Sequence, residues 1–319
     1  MLKGIAYKVA STFVFACMMA IVKANVNTYP PGEFVFFRSF FALPILVAWL
    51  WQRGEFPGAL HTRWFGGHLL RSFAGVGSMF LSFTAFNFLP LADVTAVGYA
   101  GPLIIVVLAA LWLKERVGPG RWAGVVVGFG GVILMLWEHL GSSDPSAARG
   151  AIGAFCALTG AFCLAIAMIQ TRRLVQTEHM GAVVFYFQST GAVLGLSLTL
   201  VGTLWPSSLP FSSLMQAQAW VTPPWNECLV LISIGFLGGL GQILMTRGFT
   251  LADASVIACF DYVSMIFVLI LGIVFLNEWP STTVLMGAAI IAAAGVMVIL
   301  GERRWPSRKI LPVGSGPLH

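Results

Sequence analysis

The chain has 319 residues, of which 58% are apolar and only 9% charged, with a formal net charge of +6. Soluble domains carry roughly a quarter charged residues, so an ordinary soluble enzyme, a disordered chain and a nucleic-acid binder are excluded. There is too little polar surface to cover so much apolar volume. The solvent for most of this chain is lipid.

A helix needs about 20 apolar residues to cross ~30 Å of hydrocarbon. Ten such stretches follow one another, at residues 4–24, 32–51, 65–88, 91–113, 120–138, 148–170, 180–203, 227–249, 251–275 and 280–300. Backbone polar groups in lipid must be satisfied internally, and unbroken apolar runs without period-2 alternation select helices over a closed barrel. The first stretch imitates a signal peptide, but Lys8 and Lys23 bracket it and no small-x-small site ends it, so it is kept as a span. The expected fold is therefore an all-α polytopic membrane protein with ten transmembrane helices.

Basic residues orient the chain. With the amino terminus inside, fourteen Lys and Arg fall on the cytoplasmic side and only Lys23 and Arg149 on the other, while Arg38 and Arg71 lie within spans. Cytoplasmic loops collect such residues, so both termini are predicted to be cytoplasmic. The positive charge is an insertion signal and does not imply a polyanionic partner. Trp49, Trp51, Trp64, Trp112, Trp122, Trp137, Trp205, Trp225, Trp279 and Trp305 lie at or near predicted span ends, where an amphipathic ring anchors best. The five cysteines share no metal-ligand spacing, and neither a zinc site nor a disulfide framework is suggested.

The two halves repeat. Leu91-Ala92-Asp93 recurs as Leu251-Ala252-Asp253, and Leu113-Lys114-Glu115 as Leu276-Asn277-Glu278, with Gly124 and Gly287 nine residues past the respective acids. Five spans per half is an odd number, so the second half enters the membrane inverted. Inverted five-helix repeats are a recurring architecture of secondary transporters, with the site near the midplane between repeats. The expected organisation is a first repeat at 1–138, an external linker at 139–149, a second repeat at 150–301 and a disordered cytoplasmic tail at 302–319.

These landmarks, with Phe37-Arg38-Ser39-Phe40-Phe41-Ala42 in the second span and Pro102 in the fourth, resemble the drug/metabolite transporter superfamily. The likeness is to ten-helix proteins with two EamA-type repeats and covers roughly residues 4–300. Within that superfamily, size and aromatic content look most like bacterial amino-acid exporters, aromatic ones included. The resemblance implies a central cavity, cytoplasmic termini and multi-pass residence in the bacterial cytoplasmic (inner) membrane. It also implies export of small metabolites. One departure stands out: span seven carries Phe185-Tyr186-Phe187-Gln188 where a second Arg-centred motif would fall.

Ionisable and polar residues deep in spans are the site candidates. Asp261 lies ten residues into span nine beside Tyr262 and Ser264. It either pairs with a substrate ammonium, carries an exchangeable proton, or is a buried acid satisfied by a hydroxyl or by Lys8 or Lys23. Tyr99 lies mid-span between Gly98 and Gly101-Pro102, where a loosened helix offers an aromatic face to a ligand; simple packing competes. Ser78 and Ser82 share a helix face and either line a hydrated cavity or allow tight helix contact, and Gln242 has the same standing. Arg38 either holds a substrate carboxylate in a bidentate pair or snorkels outward or braces helices, the structural use being favoured. Arg71 is read the same way, and Asp93, Asp253, Glu115 and Glu278 at span ends are read as capping or surface pairing.

The leading expectation is a secondary transporter exporting amino acids or similar amphiphiles by alternating access. Its partners are a small-molecule substrate and the bilayer, without nucleic acid or cofactor. Proton coupling and oligomeric state stay open. No GxxxxGK[ST] loop is present for ATP drive. A sugar-phosphate or nucleotide-sugar exchanger is the alternative, and it would want several midplane cations. An intramembrane enzyme is disfavoured because His61, His68, His139 and His179 lie at span ends or in loops.

Overall fold

The computed structural model describes residues 2–112, 117–140, 145–208, 212–251 and 263–304. All regular structure among them is helical. The helices are α1 (Leu2–Asn25), α2 (Pro31–Phe40), α3 (Ala42–Gln52), α4 (Phe65–Ala85), α5 (Leu91–Gly98), α6 (Ala100–Trp112) and α7 (Pro119–Leu140) in the first half. In the second half come α8 (Pro145–Leu174), α9 (Met180–Leu204), a short α10 (Ser212–Gln216), α11 (Trp225–Leu251), α12 (Val263–Leu276) and α13 (Thr282–Arg304).

Among the described residues, six stretches are long and apolar enough to cross a membrane: Lys3–Asn25, Pro31–Gln52, Leu91–Trp112, Ala148–Thr171, Met180–Leu204 and Trp225–Met245. Shorter apolar helices cover Trp122–Met135, Val263–Leu276 and Thr282–Met297. Large apolar side chains are exposed along their outer faces, including Ile133, Phe155, Val193 and Val274, and Trp51, Trp137, Trp225 and Trp279 protrude near helix ends. A surface so apolar belongs in lipid. The protein is a multi-pass membrane protein.

Helix bounds differ from the predicted spans where capping chemistry sets them. Pro31, Pro119 and Pro145 open α2, α7 and α8, because a first-turn proline loses only an N–H that has no helical partner. The expected 139–149 linker is consequently encroached on by α7 up to Leu140 and by α8 from Pro145. The expected tail is helical to Arg304, and its remainder lies outside the described residues.

Among the described residues, two spans are interrupted. The second breaks at Phe41 between α2 and α3, the fourth at Tyr99 between α5 and α6. One cause explains both. Pro44 and Pro102 have no N–H to offer the carbonyls four residues earlier, those of Phe40 and Gly98, and each helix segment ends at that residue.

The halves interlock rather than sit side by side. Helix α1 packs on α11, α4 on α8, α2 on both α9 and α11, α4 also on α9, and α7 on α13. Lipid tails are as apolar as leucine, so close backbone approach rather than water exclusion drives such pairs. Glycines provide it. A Cβ on Gly131 of α7 would stand 3.0 Å from the Gly287 carbonyl oxygen of α13, and one on Gly195 of α9 would stand 2.7 Å from that of Gly32 in α2. Gly191, Gly195, Gly235 and Gly239, spaced four apart in pairs, all face neighbouring helices of the same chain.

Candidate functional site

Tyr99 reaches the second half. Its hydroxyl shares a hydrogen bond with the Ser264 hydroxyl in the first turn of α12. The break imposed by Pro102 thus sets the Tyr99 ring against the element that follows Asp261 and Tyr262. Those two candidates lie outside the described residues.

Ser78 and Ser82 face α8. A Cβ at Gly160 would stand 3.3 Å from the Ser78 carbonyl oxygen and 3.2 Å from Ser82 Oγ, so this stripe is in close helix contact. Gln242 borders a small apolar crevice with Leu46, Trp49, Met180 and Val184, between α3, α9 and α11. The Tyr99 contact, the Ser78–Ser82 stripe and the Gln242 crevice therefore mark different places, and Arg38 marks another.

Arg38 does not snorkel: the residue is 8% exposed, and its Nε and Nη1 are buried without a hydrogen-bond partner. Its chain passes Gly238 of α11, where a Cβ would stand 3.2 Å from Cγ and 3.5 Å from Nε. The Arg38 guanidinium carbon lies 6.0 Å from the Phe187 ring centroid, and that of Arg71 lies 3.9 Å from the same centroid. Arg71 Nε donates to the Thr171 hydroxyl at 3.2 Å, while its Nη1 is buried and unpartnered. The ring itself rests on Gly75, where a Cβ would meet Phe187 Cε2 at 2.8 Å. Two arginines from α2 and α4 converge on one aromatic ring of α9. Among the described residues, no carboxylate forms an ion pair with either. Sequence reasoning treated each arginine alone. The segment that departs from the Arg-centred motif supplies the ring both of them meet.

Two polar clusters tie loops together. In the first, Lys23 Nζ lies 3.3 Å from Glu278 Oε1 and donates at 2.7 Å to the carbonyls of both Phe86 and Leu89. The other Glu278 oxygen accepts the Leu91 N–H at 2.7 Å. Asn277 adopts a left-handed φ of 54°, and the Glu278 N–H closes back on the Gly272 carbonyl, which aims the carboxylate at the start of α5. Nearby, Tyr29 donates its hydroxyl to Glu227, and burial together with that carboxylate pushes the phenol up to about 12. Glu33, fully buried, accepts the Val221 N–H at 3.1 Å; an acid two residues inside a predicted span was a legible signal that the sequence reading passed over.

In the second cluster, Glu178 accepts the N–H groups of Arg63 and Trp64 at 2.9 and 3.1 Å and lies 3.7 Å from His68 Nε2. Burial opposes ionisation there, yet these donors hold the carboxyl below its ordinary value.

A helical membrane protein with kinked spans, interlocked halves and buried polar groups is of the class that moves polar solutes across bilayers. The chain belongs to the EamA-like transporter family, whose model matches residues 2–137 and 151–301, within the drug/metabolite transporter superfamily. It is 27% identical over 292 residues to the pseudopaline exporter CntI of Pseudomonas aeruginosa, covering 91% of this chain and 94% of that one. It is also 27% identical over 281 residues to an S-adenosylmethionine uptake transporter of Rickettsia felis, with 87% and 85% covered. Human solute carrier family 35 member G1 is 28% identical over 309 residues, with 95% and 80% covered. A solved crystal structure superimposes with a TM-score of 0.64 at 20% identity, covering 94% of this chain and 99% of its own, which is a likeness of fold. The family model and relatives named as an exporter and an uptake transporter cover most of the chain, and a transporter role follows for this one.

Proposed function

We propose that this protein is a secondary transporter that exports amino acids, aromatic ones included, or similar small metabolites across the bacterial cytoplasmic membrane. It works by alternating access between two inverted five-helix repeats, residues 1–138 and 150–301, with ten spans in all. The packing pattern carries this reading. Exchanging the halves turns α1 on α11 into α8 on α4, and α2 on α11 into α9 on α4, while α2 on α9 and α7 on α13 map onto themselves. Packing that is invariant under such an exchange is what a pseudo-two-fold axis produces, and it lets the two halves trade conformations.

The proposed solute site lies between the halves. Tyr99 and Ser264 meet there, with Asp261 and Tyr262 proposed beside them to take an ammonium or an exchangeable proton; Ser78, Ser82, Gln242 and Arg38 are further candidates. Relatives named for S-adenosylmethionine, itself an amino acid in its head group, support a zwitterionic substrate. The test is flux of a panel of labelled amino acids in proteoliposomes, with and without a pH gradient. Saturable flux of some members, altered in Asp261→Asn, supports the proposal; a folded protein that moves none of them overturns the amino-acid assignment.

A further inference from the structure

We infer that Arg38 and Arg71 together form a buried oxyanion site, which receives the carboxylate or phosphate of the transported metabolite. The inference rests on the transporter reading for what is bound, but its geometry stands independently. A guanidinium in the hydrocarbon region is costly, and two on one ring are costlier unless something neutralises them. Among the described residues no acid pairs with either. Three of their nitrogens, Arg38 Nε and Nη1 and Arg71 Nη1, are buried without an acceptor.

Glycines let both side chains reach the ring. Gly238 leaves space for the Arg38 chain, and Gly75 lets the Phe187 ring settle between α4 and α9. That ring fixes both cations by cation–π contact, at 3.9 Å for Arg71 and 6.0 Å for Arg38. The Thr171 hydroxyl of α8 accepts from Arg71 Nε, while Arg71 Nη1 is left buried without an acceptor. What is left is a set of donors without acceptors, and guanidinium forks match carboxylate and phosphate oxygens two at a time. Arg38 and Arg71 come from different helices of the first half, and Phe187 from the second. Movement between the halves would therefore change how well the pair grips its anion, which is the coupling a carrier needs.

The probes are succinate, inorganic phosphate and the uncharged succinamide, added to detergent-purified full-length protein while its melting temperature is followed. Wild type is expected to be stabilised saturably by succinate, by phosphate or by both, the stronger arm naming the oxyanion, and not by succinamide. Arg38→Met and Arg71→Met are each expected to weaken that response at least ~10-fold in midpoint concentration, the usual scale for truncating a buried charge pair. Without anion, both variants are expected to melt no lower than wild type, since each relieves an uncompensated buried cation. Arg38→Lys and Arg71→Lys keep the charge and lose the fork, so they keep the fold and show a weakened response. No stabilisation of wild type by either anion, or a response unchanged in folded arginine variants, overturns the site. Because the readout is binding, a protein that binds these anions but transports no amino acid contradicts only the proposed transport reading.

Discussion

Glu278 and Lys23 join the end of α12 to the end of α1 by an ion pair at 3.3 Å, and Glu278 also caps α5 through the Leu91 N–H. The leucine that opens one repeat landmark therefore binds the acid that closes the other. A single carboxylate thus ties three elements from both halves at one mouth of the bundle, where the carbonyls of Phe86 and Leu89 hold Lys23 in place.

Breaking that tie is expected to loosen the mouth without unfolding the chain. Glu278→Gln keeps an acceptor for Leu91 and loses the charge, at a cost of about 1–3 kcal/mol. Combining it with Lys23→Met costs less than the sum of the two single changes, because they remove one interaction. Thermal unfolding of the single and double variants measures this; strict additivity would count against the latch.

Close backbone approach between α7 and α13 makes a second prediction. Gly287 meets the Gly131 carbonyl oxygen at 2.9 Å from where its Cβ would stand. Gly287→Val forces the helices apart and is expected to cost about 1–3 kcal/mol, the usual scale for overpacking. An equally large change at Gly130, where a Cβ meets nothing within 4 Å, is expected to be tolerated. Comparing the two melting temperatures checks it.

Stability should depend on pH at two loop sites, with opposite signs. The folded Tyr29 phenol titrates near 12 rather than 10, so its contribution is complete below the ordinary value and is lost as pH rises through about 12. Tyr29→Phe flattens that alkaline limb. Glu178 titrates below its ordinary value of 4.5, so its contribution is present above 4.5 and is lost as pH falls through the lower folded value. Glu178→Gln flattens the acid limb. Melting curves across pH read both.

Tyr99→Phe removes the hydroxyl that meets Ser264 and keeps the ring. Substrate preference is expected to shift more than yield of folded protein, whereas Tyr99→Ala changes both the polar contact and the ring. Flux ratios across several amino acids separate these; equal loss for every substrate together with poor expression would identify a packing residue.

Much of the fold was legible because lipid imposes a simple rule on composition. Apolar runs of helical length mark the helices, six of them long and apolar enough to cross a membrane among the described residues, and Gly98 with Gly101-Pro102 around Tyr99 marks the loosened stretch where the fourth run breaks. Pro44 carries the same signal for Phe41, and it is visible only when each proline is checked against the carbonyl four residues earlier. The arginine pair was not legible. Arg38 and Arg71 lie in different spans, and nothing in a linear pattern says that Phe187 stands between them. Burial was misjudged for the same reason. Snorkelling is the default for a long cation near a span end, and only the packing of α2, α4, α9 and α11 around Arg38 closes that exit. Loop ties such as Glu178 to Arg63 and Trp64 depend on which loops share a mouth, which follows from helix order rather than from local residues.

Two inverted halves require that residue 1 and the segment between α7 and α8 lie on opposite sides of the membrane. Reporter tags at Met1 and at Ser142 in intact cells measure this directly. The account predicts Met1 in the cytoplasm and Ser142 outside; both tags on one side would contradict the inverted repeat and the alternating-access mechanism built on it.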